Sequence, residues 1–231
     1  MRLIDLPSPN HEPRPGAGVV DMLILHYTGM RSAAEALQRL CSPAAKVSAH
    51  YLIDEDGAVA RLVPEARCAW HAGLSFWAGR RGINSASIGI ELVNPGHEFG
   101  YRPFPEAQMA ALEELCGGIL ARHPIPARHV LGHSDVAPRR KTDPGELFDW
   151  QRLARAGIGL WPEAATTEVA SLGEAQRLLA AIGYEAPQTG VQDALTRDII
   201  TAFQRHFRPS RCDGALDAET GARIAAVAAA V

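Results

Sequence analysis

Apolar residues along the chain fall into short continuous runs and helix-spaced stretches that alternate. VVDMLILHYTG (19–29) carries an unbroken apolar run closed by Gly29, the pattern of a strand buried on both faces. SAAEALQRLCS (32–42) follows with helical spacing, Ser32 at the N-cap and Glu35 at the capping-box position. VSAHYLIDEDGAVARLV (47–63) predicts two strands about the turn Asp54-Glu55-Asp56-Gly57, a hairpin signal. AWHAGLSFWAGRRGINSA (69–86) has neither period and reads as a long loop, a feature that compact domains often keep for function. SIGIELVN (87–94) predicts a central strand, and PEAQMAALEELCGGILARH (105–123) a helix with Met109, Leu112, Leu115 and Ile119 on one face. ARHVLGHSDVAP (127–138) is a short strand running into a loop, and WQRLARAGIG (150–159) a last helix. Residues 1–18, rich in Pro and Gly, read as an extended lead-in.

This alternation gives an α/β fold with a central mixed β-sheet flanked by helices, mixed because one hairpin is antiparallel. We place this unit at residues 1–160 and a linker at 161–168, where WPEAATTEV lacks an apolar period. Residues 169–231 change character: SLGEAQRLLAAIGY, TRDIITAFQRHF and DAETGARIAAVAAAV are helical patterns separated by Pro187, Gly190, Pro209 and Gly214. They predict a small C-terminal three-helix bundle, separate from the first unit.

Composition narrows the function classes. The chain has 231 residues, 47% apolar and 21% charged, within the range of globular proteins. A net charge of -3 gives no strong pull toward nucleic acid or an anionic membrane. No apolar run approaches the roughly 20 residues of a membrane span, and the N-terminus MRLIDLPSPNHEPRPG lacks the apolar core of a signal peptide. Cys41, Cys68, Cys116 and Cys212 form no CxxC pair and read as unpaired small core residues. Together these predict a cytoplasmic protein.

Candidate chemistry gathers in three places. His26 ends the apolar strand 19–29, where sites on α/β sheets lie; alone it reads first as a core or surface histidine. GHSDVAPRRKTDPG (132–145) offers His133, Asp135, Lys141 and Asp143 in one loop, which is either a solvated turn or a metal loop. Two imidazoles and a carboxylate, with a fourth position open to water, suit catalytic zinc, which lowers the pKa of bound water toward about 7. Glu91 sits inside an apolar strand pattern, where a carboxylate is costly unless ion-paired or functional. A partly desolvated Glu has its pKa raised toward the work of a general base. Lys141 offers a charge for an oxyanion, or is a solvated loop lysine.

LILHYTG, VSAHYLIDEDG, AWHAGLSFW, NSASIGIELVN and GHSDVAPRRKTDPG occur in this order. Over roughly residues 15–155 the chain resembles the zinc N-acetylmuramoyl-L-alanine amidases of the type-2 amidase superfamily, which includes the peptidoglycan recognition proteins. The resemblance implies one zinc ion in a surface groove. It also implies hydrolysis of the bond between the lactyl group of N-acetylmuramic acid and L-alanine in peptidoglycan fragments. The absence of a signal-peptide core suggests recycling of 1,6-anhydro-muropeptides in the cytoplasm, whereas the C-terminal region suggests contact with polymeric wall. Carried over, the zinc ligands fall on His26, His133 and Asp143, the general base on Glu91 and the oxyanion-stabilising lysine on Lys141. Non-catalytic members of the superfamily typically lose zinc ligands; a non-catalytic peptidoglycan-binding protein is the alternative, and a zinc peptidase acting within the stem peptide a third.

Other motif residues fall to the substrate. His71 is a groove residue on this reading, and Trp70 and Trp77 either line the groove against sugar or peptide or pack in the core. Lys46, Arg80 and Arg81 either meet the acidic groups of the stem peptide or are solvated surface charges. Asn84 either bonds substrate or caps the turn before the strand, and His50 is a support residue rather than a ligand. The C-terminal stretch resembles the three-helix peptidoglycan-binding domain found beside cell-wall hydrolases, through Ala-Phe-Gln-Arg (202–205), Asp213-Gly214 and Asp217-Ala218-Glu219-Thr220. Its middle segment, PQTGVQDALTRD (187–198), departs from that family's Gly-rich pattern, so glycan binding and a packing role both stay open.

Overall fold

The computed structural model describes residues 2–16, 18–163 and 169–231. Ten strands and eight α-helices are found among them. In chain order they begin β1 (Arg2–Asp5), β2 (His11–Pro13), β3 (Met22–Tyr27), α1 (Ala33–Leu40), β4 (Tyr51–Ile53) and β5 (Ala58–Arg61). Then come β6 (Arg67–Ala69), β7 (Phe76–Trp77), β8 (Arg80–Arg81), β9 (Ser87–Leu92), α2 (Gly96–Phe99) and α3 (Glu106–Arg122). The series closes with β10 (Val130–Gly132), α4 (His133–Val136), α5 (Trp150–Arg155), α6 (Leu172–Ile182), α7 (Ala194–Phe207) and α8 (Ala218–Ala229).

Six strands form the sheet in the order β1-β5-β4-β9-β3-β10. β4, β9, β3 and β10 run parallel, while β5 pairs antiparallel with β4 across the hairpin. The register sets Met22 beside Ser87, Ile24 beside Gly89 and His26 beside Glu91. Because side chains alternate along a strand, Leu23, Leu25, Ile88, Ile90 and Leu92 share one face. They pack on Met109, Leu112, Leu115 and Ile119 of α3 and on Trp150 and Leu153 of α5. The α3 face read from the sequence is therefore the buried one.

The opposite face is shared. α1 covers Leu52, Ala60 and Leu62 with Ala36 and Leu40. Met22 and Ile24, with Leu131 and Val136, pack instead on Leu179 and Ile182 of α6, Ile199, Ile200 and Phe203 of α7, and Ile224 of α8. One hydrophobic cluster thus joins the C-terminal helices to the sheet, where the sequence patterns predict a small separate bundle. The strip left between α1 and these helices, at the C-terminal ends of β3 and β9, holds the candidate site.

Local chemistry shapes several of these elements. Ser32 Oγ accepts the Glu35 N–H, while the Glu35 carboxylate reaches the Arg31 N–H one residue before the cap. The lead-in does more than extend: β1 adds to the sheet edge along β5, and β2 pairs with β6. The long loop contains the short antiparallel β7–β8 hairpin and a 3-10 turn at Ile83–Ala86. Most of the predicted linker, residues 164–168, lies outside the described residues. Among the described residues no helix is long and apolar enough to cross a membrane. All four cysteines are free.

Candidate metal centre and catalytic groove

His26 and Glu91 are neighbours across β3 and β9 and lie on the face turned away from α3. β10 ends at Gly132, and the chain turns at once into α4, bringing His133 beside His26. The loop then returns so that the Asp143 carbonyl accepts the Ser134 N–H at 2.9 Å. These two hydrogen-bonded segments bridge the ten-residue separation between His133 and Asp143.

His26 Nδ1, His133 Nδ1 and Asp143 Oδ2 lie 3.0 Å from one another. Among the described residues this trio is the one His/Cys/Asp/Glu group whose donor atoms converge within 4.8 Å, and all three residues are buried. Burial and the neighbouring His133 push the His26 pKa down to about 4, despite Asp143. Burial would raise the Asp143 carboxyl, yet the charge and hydrogen bond of His133 and the bond from His26 hold it far below the usual carboxylate range. Two imidazole nitrogens and an ionised carboxylate are the donor set of a zinc site. Bonds of about 2.0–2.1 Å in a tetrahedron set donors roughly 3.3 Å apart, close to the observed spacing.

The outer ring nitrogens are also held, as metal-binding histidines require. His133 Nε2 lies 3.1 Å from the Ala72 carbonyl, to which it can only donate, so Nδ1 is the nitrogen that can face a metal. His26 Nε2 lies 3.0 Å from His71 Nδ1, His71 Nε2 lies 3.1 Å from Ser87 Oγ, and Ser87 Oγ donates to the Ile83 carbonyl at 2.8 Å. With a bare His26 Nδ1, every proton in this chain has one consistent position: His26 donates to His71, and His71 donates to Ser87. Burial, reinforced by the surrounding histidines, holds His71 well below the usual range, which keeps it neutral. Its ring lies over Gly89, where an added Cβ would come within 2.5 Å of the ring.

Glu91 is the second component. Its Oε2 is buried with no hydrogen-bond partner. Burial and the nearby Asp143 charge push its pKa well above the usual carboxylate range, and Lys141 only partly offsets them. Lys141 lines the same groove. This groove of about 330 Å³ is also lined by Trp70, His71, Arg39 and Arg140.

The remaining predicted contacts divide. Asn84 Oδ1 accepts the His71 and Ala72 N–H groups and so positions that segment, which favours the supporting reading over contact with substrate. Arg80 pairs with Asp21 and Arg81 with Glu185, and neither lines this groove, because each is drawn to a carboxylate elsewhere. Lys46 ends a 3-10 turn with φ 51° and does not line the groove, although Val47 and Ser48 do. Trp77 is buried against Tyr184. His50 is fully buried, accepts the Gly89 N–H at 2.9 Å and lies 3.1 Å from the Arg67 carbonyl, away from the trio.

Sequence reasoning missed Ser87, Arg39, Arg140 and Tyr27. Tyr27 holds the loop that carries Asp143 through its hydroxyl, 2.8 Å from Thr142 Oγ1. Its place directly after His26 on the strand was the available signal.

Residues 16–146 match the family described as N-acetylmuramoyl-L-alanine amidase, and residues 169–224 match a peptidoglycan binding domain family. The N-acetylmuramoyl-L-alanine amidase AmiD of Escherichia coli K12 is 39% identical over 225 residues, 88% of this chain and 80% of that protein. The 1,6-anhydro-N-acetylmuramyl-L-alanine amidase AmpD of Haemophilus influenzae is 33% identical, over 63% of this chain and 86% of its own length. Among solved structures, E. coli AmiD bound to anhydro-N-acetylmuramic acid-L-Ala-D-gamma-Glu-L-Lys superposes with TM-score 0.80 at 37% identity, covering 96% of this chain and 91% of that one. AmpDh3 of Pseudomonas aeruginosa, in complex with anhydromuramic pentapeptide, gives TM-score 0.78 at 36% identity, with 90% of each chain covered.

Proposed function

The chain belongs to the N-acetylmuramoyl-L-alanine amidase family, and on that footing we propose that it cleaves the amide between N-acetylmuramic acid, or its 1,6-anhydro form, and L-alanine with one zinc ion. The observation that carries this reading is the convergence of His26, His133 and Asp143 beside the unpartnered carboxylate of Glu91. His26 Nδ1, His133 Nδ1 and Asp143 Oδ2 would hold the metal. Zinc, when bound, supplies a Lewis acid and acidifies a bound water.

The protein's own residues do the rest. Glu91 takes a proton from the attacking water and returns it to the departing alanine nitrogen, a role suited to a carboxylate whose pKa is raised by burial. Lys141 offsets negative charge as the carbonyl oxygen becomes an oxyanion. Trp70 provides a flat apolar wall for the sugar or the lactyl group, and the Arg39 and Arg140 cations suit the carboxylates of the stem peptide.

Soluble anhydro-muropeptides are the substrate class, as in the complexes of AmiD and AmpDh3. Recycling in a reducing, cytoplasmic compartment fits four unpaired cysteines. Chelator-stripped protein, incubated with anhydro-muramyl tripeptide, is expected to be inactive and to recover with one equivalent of zinc. Mass spectrometry should then find free anhydro-muramic acid and an intact peptide. Turnover that survives metal removal, or cleavage within the peptide, would overturn the proposal.

A further inference from the structure

Asp135 lies two residues beyond the candidate ligand His133, on the metal-bearing turn α4, and is 1% exposed. A carboxylate buried this deeply must be bonded. Its Oδ2 accepts the Gly132 N–H at 2.8 Å, which closes the turn onto the end of β10. The other two partners come from the C-terminal part of the chain. Tyr184, just after α6, donates its hydroxyl to Oδ1 at 2.6 Å. His206, near the end of α7, lies 2.7 Å from Oδ2 through Nδ1.

Both partners are themselves fixed. The His206 ring stacks on Trp150 at 3.7 Å between centroids, with the planes 17° apart. Its Nε2 is buried and without a partner, so its bond to Asp135 is the polar contact that orients it. Tyr184 packs edge-on against Trp77 at 4.9 Å. None of these residues lines the groove that holds the trio. The substrate groove therefore does not account for them, and packing alone requires no charge at this position.

We propose that Tyr184 and His206 are positioning residues for the metal centre: through Asp135 they fix the turn that carries His133, so that the C-terminal helices set the protein's affinity for zinc. This rests on the metal reading above. The path is short and covalent at its last step, from Tyr184 and His206 to the Asp135 carboxylate and through two peptide units to His133. Partners bonded directly to a ligand govern metal affinity by about 10–100-fold, and support that reaches the ligand through the backbone belongs at the lower end of that range. The helices thereby acquire a role that requires no glycan contact.

The test measures zinc affinity on the full chain by competition with a chromophoric chelator, with thermal unfolding of each apo-protein recorded alongside. Tyr184→Phe removes a single oxygen, and His206→Leu removes the ring donor. Both are expected to weaken zinc binding about 10-fold or more. His206→Asn keeps a donor near the Nδ1 position and is expected to restore most of the affinity lost in His206→Leu. Ile182→Val loosens the same helix–sheet interface without touching Asp135, and is expected to leave zinc affinity within twofold. Should His206→Leu fail to fold, Tyr184→Phe and His206→Asn still decide.

Parental zinc binding with unchanged affinity in Tyr184→Phe would overturn the positioning role while leaving the metal reading intact. So would equal losses in Tyr184→Phe and Ile182→Val, which would mark a general effect of stability. A parental protein that binds no zinc would overturn both.

Discussion

Glu91 occupies a sheet position whose cost is visible in its own environment, with one carboxylate oxygen buried and unpartnered. Replacing it with glutamine keeps the shape and removes the proton acceptor. We expect Glu91→Gln to lower kcat by roughly 10²–10⁴-fold, the usual value of general acid–base help, with zinc content by elemental analysis unchanged. A variant within a few-fold of the parental rate would assign the base elsewhere. Much of this site was legible at the scale of single residues. His26 and Glu91 each interrupt an apolar strand, and such interruptions are informative because burial penalises them. The His26–His71–Ser87 chain was harder to read, since a serine opening a strand carries no signal until the fold brings its hydroxyl to His71 Nε2. Arg80 and Arg81 show the complementary limit: charge marks a residue as available, while the carboxylates that pair with them, Asp21 and Glu185, lie far away in sequence.

At the scale of elements, one carboxylate joins three pieces of the amidase region. Glu65, just beyond β5, accepts from Tyr51 of β4 at 2.7 Å, from Arg122 at the end of α3 at 2.7 Å, and lies 2.7 Å from His123 Nε2. Burial pushes its pKa up, but these bonds more than offset that and hold it at about 2, against 4.5 for a free side chain. The folded state thus keeps Glu65 ionised where the unfolded chain would take up a proton. Its contribution is complete above about pH 4.5 and is lost as the pH falls toward about 2. Glu65→Gln should cost about 1–2 kcal/mol at pH 6, moderated because the cluster touches water. It should also flatten the acid limb of stability measured by urea unfolding between about pH 6 and pH 3; an unchanged limb would remove Glu65 as its source. The sheet's central strands and α3 were readable from periodicity, since each buries a face. β1 was not, because its residues stay exposed and its pairing with β5 spans more than fifty residues.

The whole molecule has two sequence regions and one continuous apolar contact between them. Met22, Ile24, Leu131 and Val136 of the sheet region are buried in the cluster formed with α6, α7 and α8. Cutting the chain after residue 163 would expose side chains each worth about 1.5–3 kcal/mol when buried. The truncated protein is therefore expected to aggregate, or to melt roughly 10 °C or more below the full chain, as calorimetry or light scattering would record. A soluble fragment melting at the parental temperature would contradict this account. Three helices could be read from the sequence, but their docking could not. An amphipathic face announces that it needs cover without saying what covers it.

The buried Asp135 carboxylate, on the turn that carries His133, has a consequence for inheritance. Its two distant partners lie in the C-terminal region, so exchanging that region between relatives would also exchange two of the carboxylate's three hydrogen-bond partners. A recombinant that received helices with phenylalanine and leucine at positions 184 and 206 would carry every ligand and still hold its metal poorly. Residues 133–136, 184 and 206 are therefore expected to be transmitted as one unit across a boundary that the sequence alone would mark as a convenient place to cut.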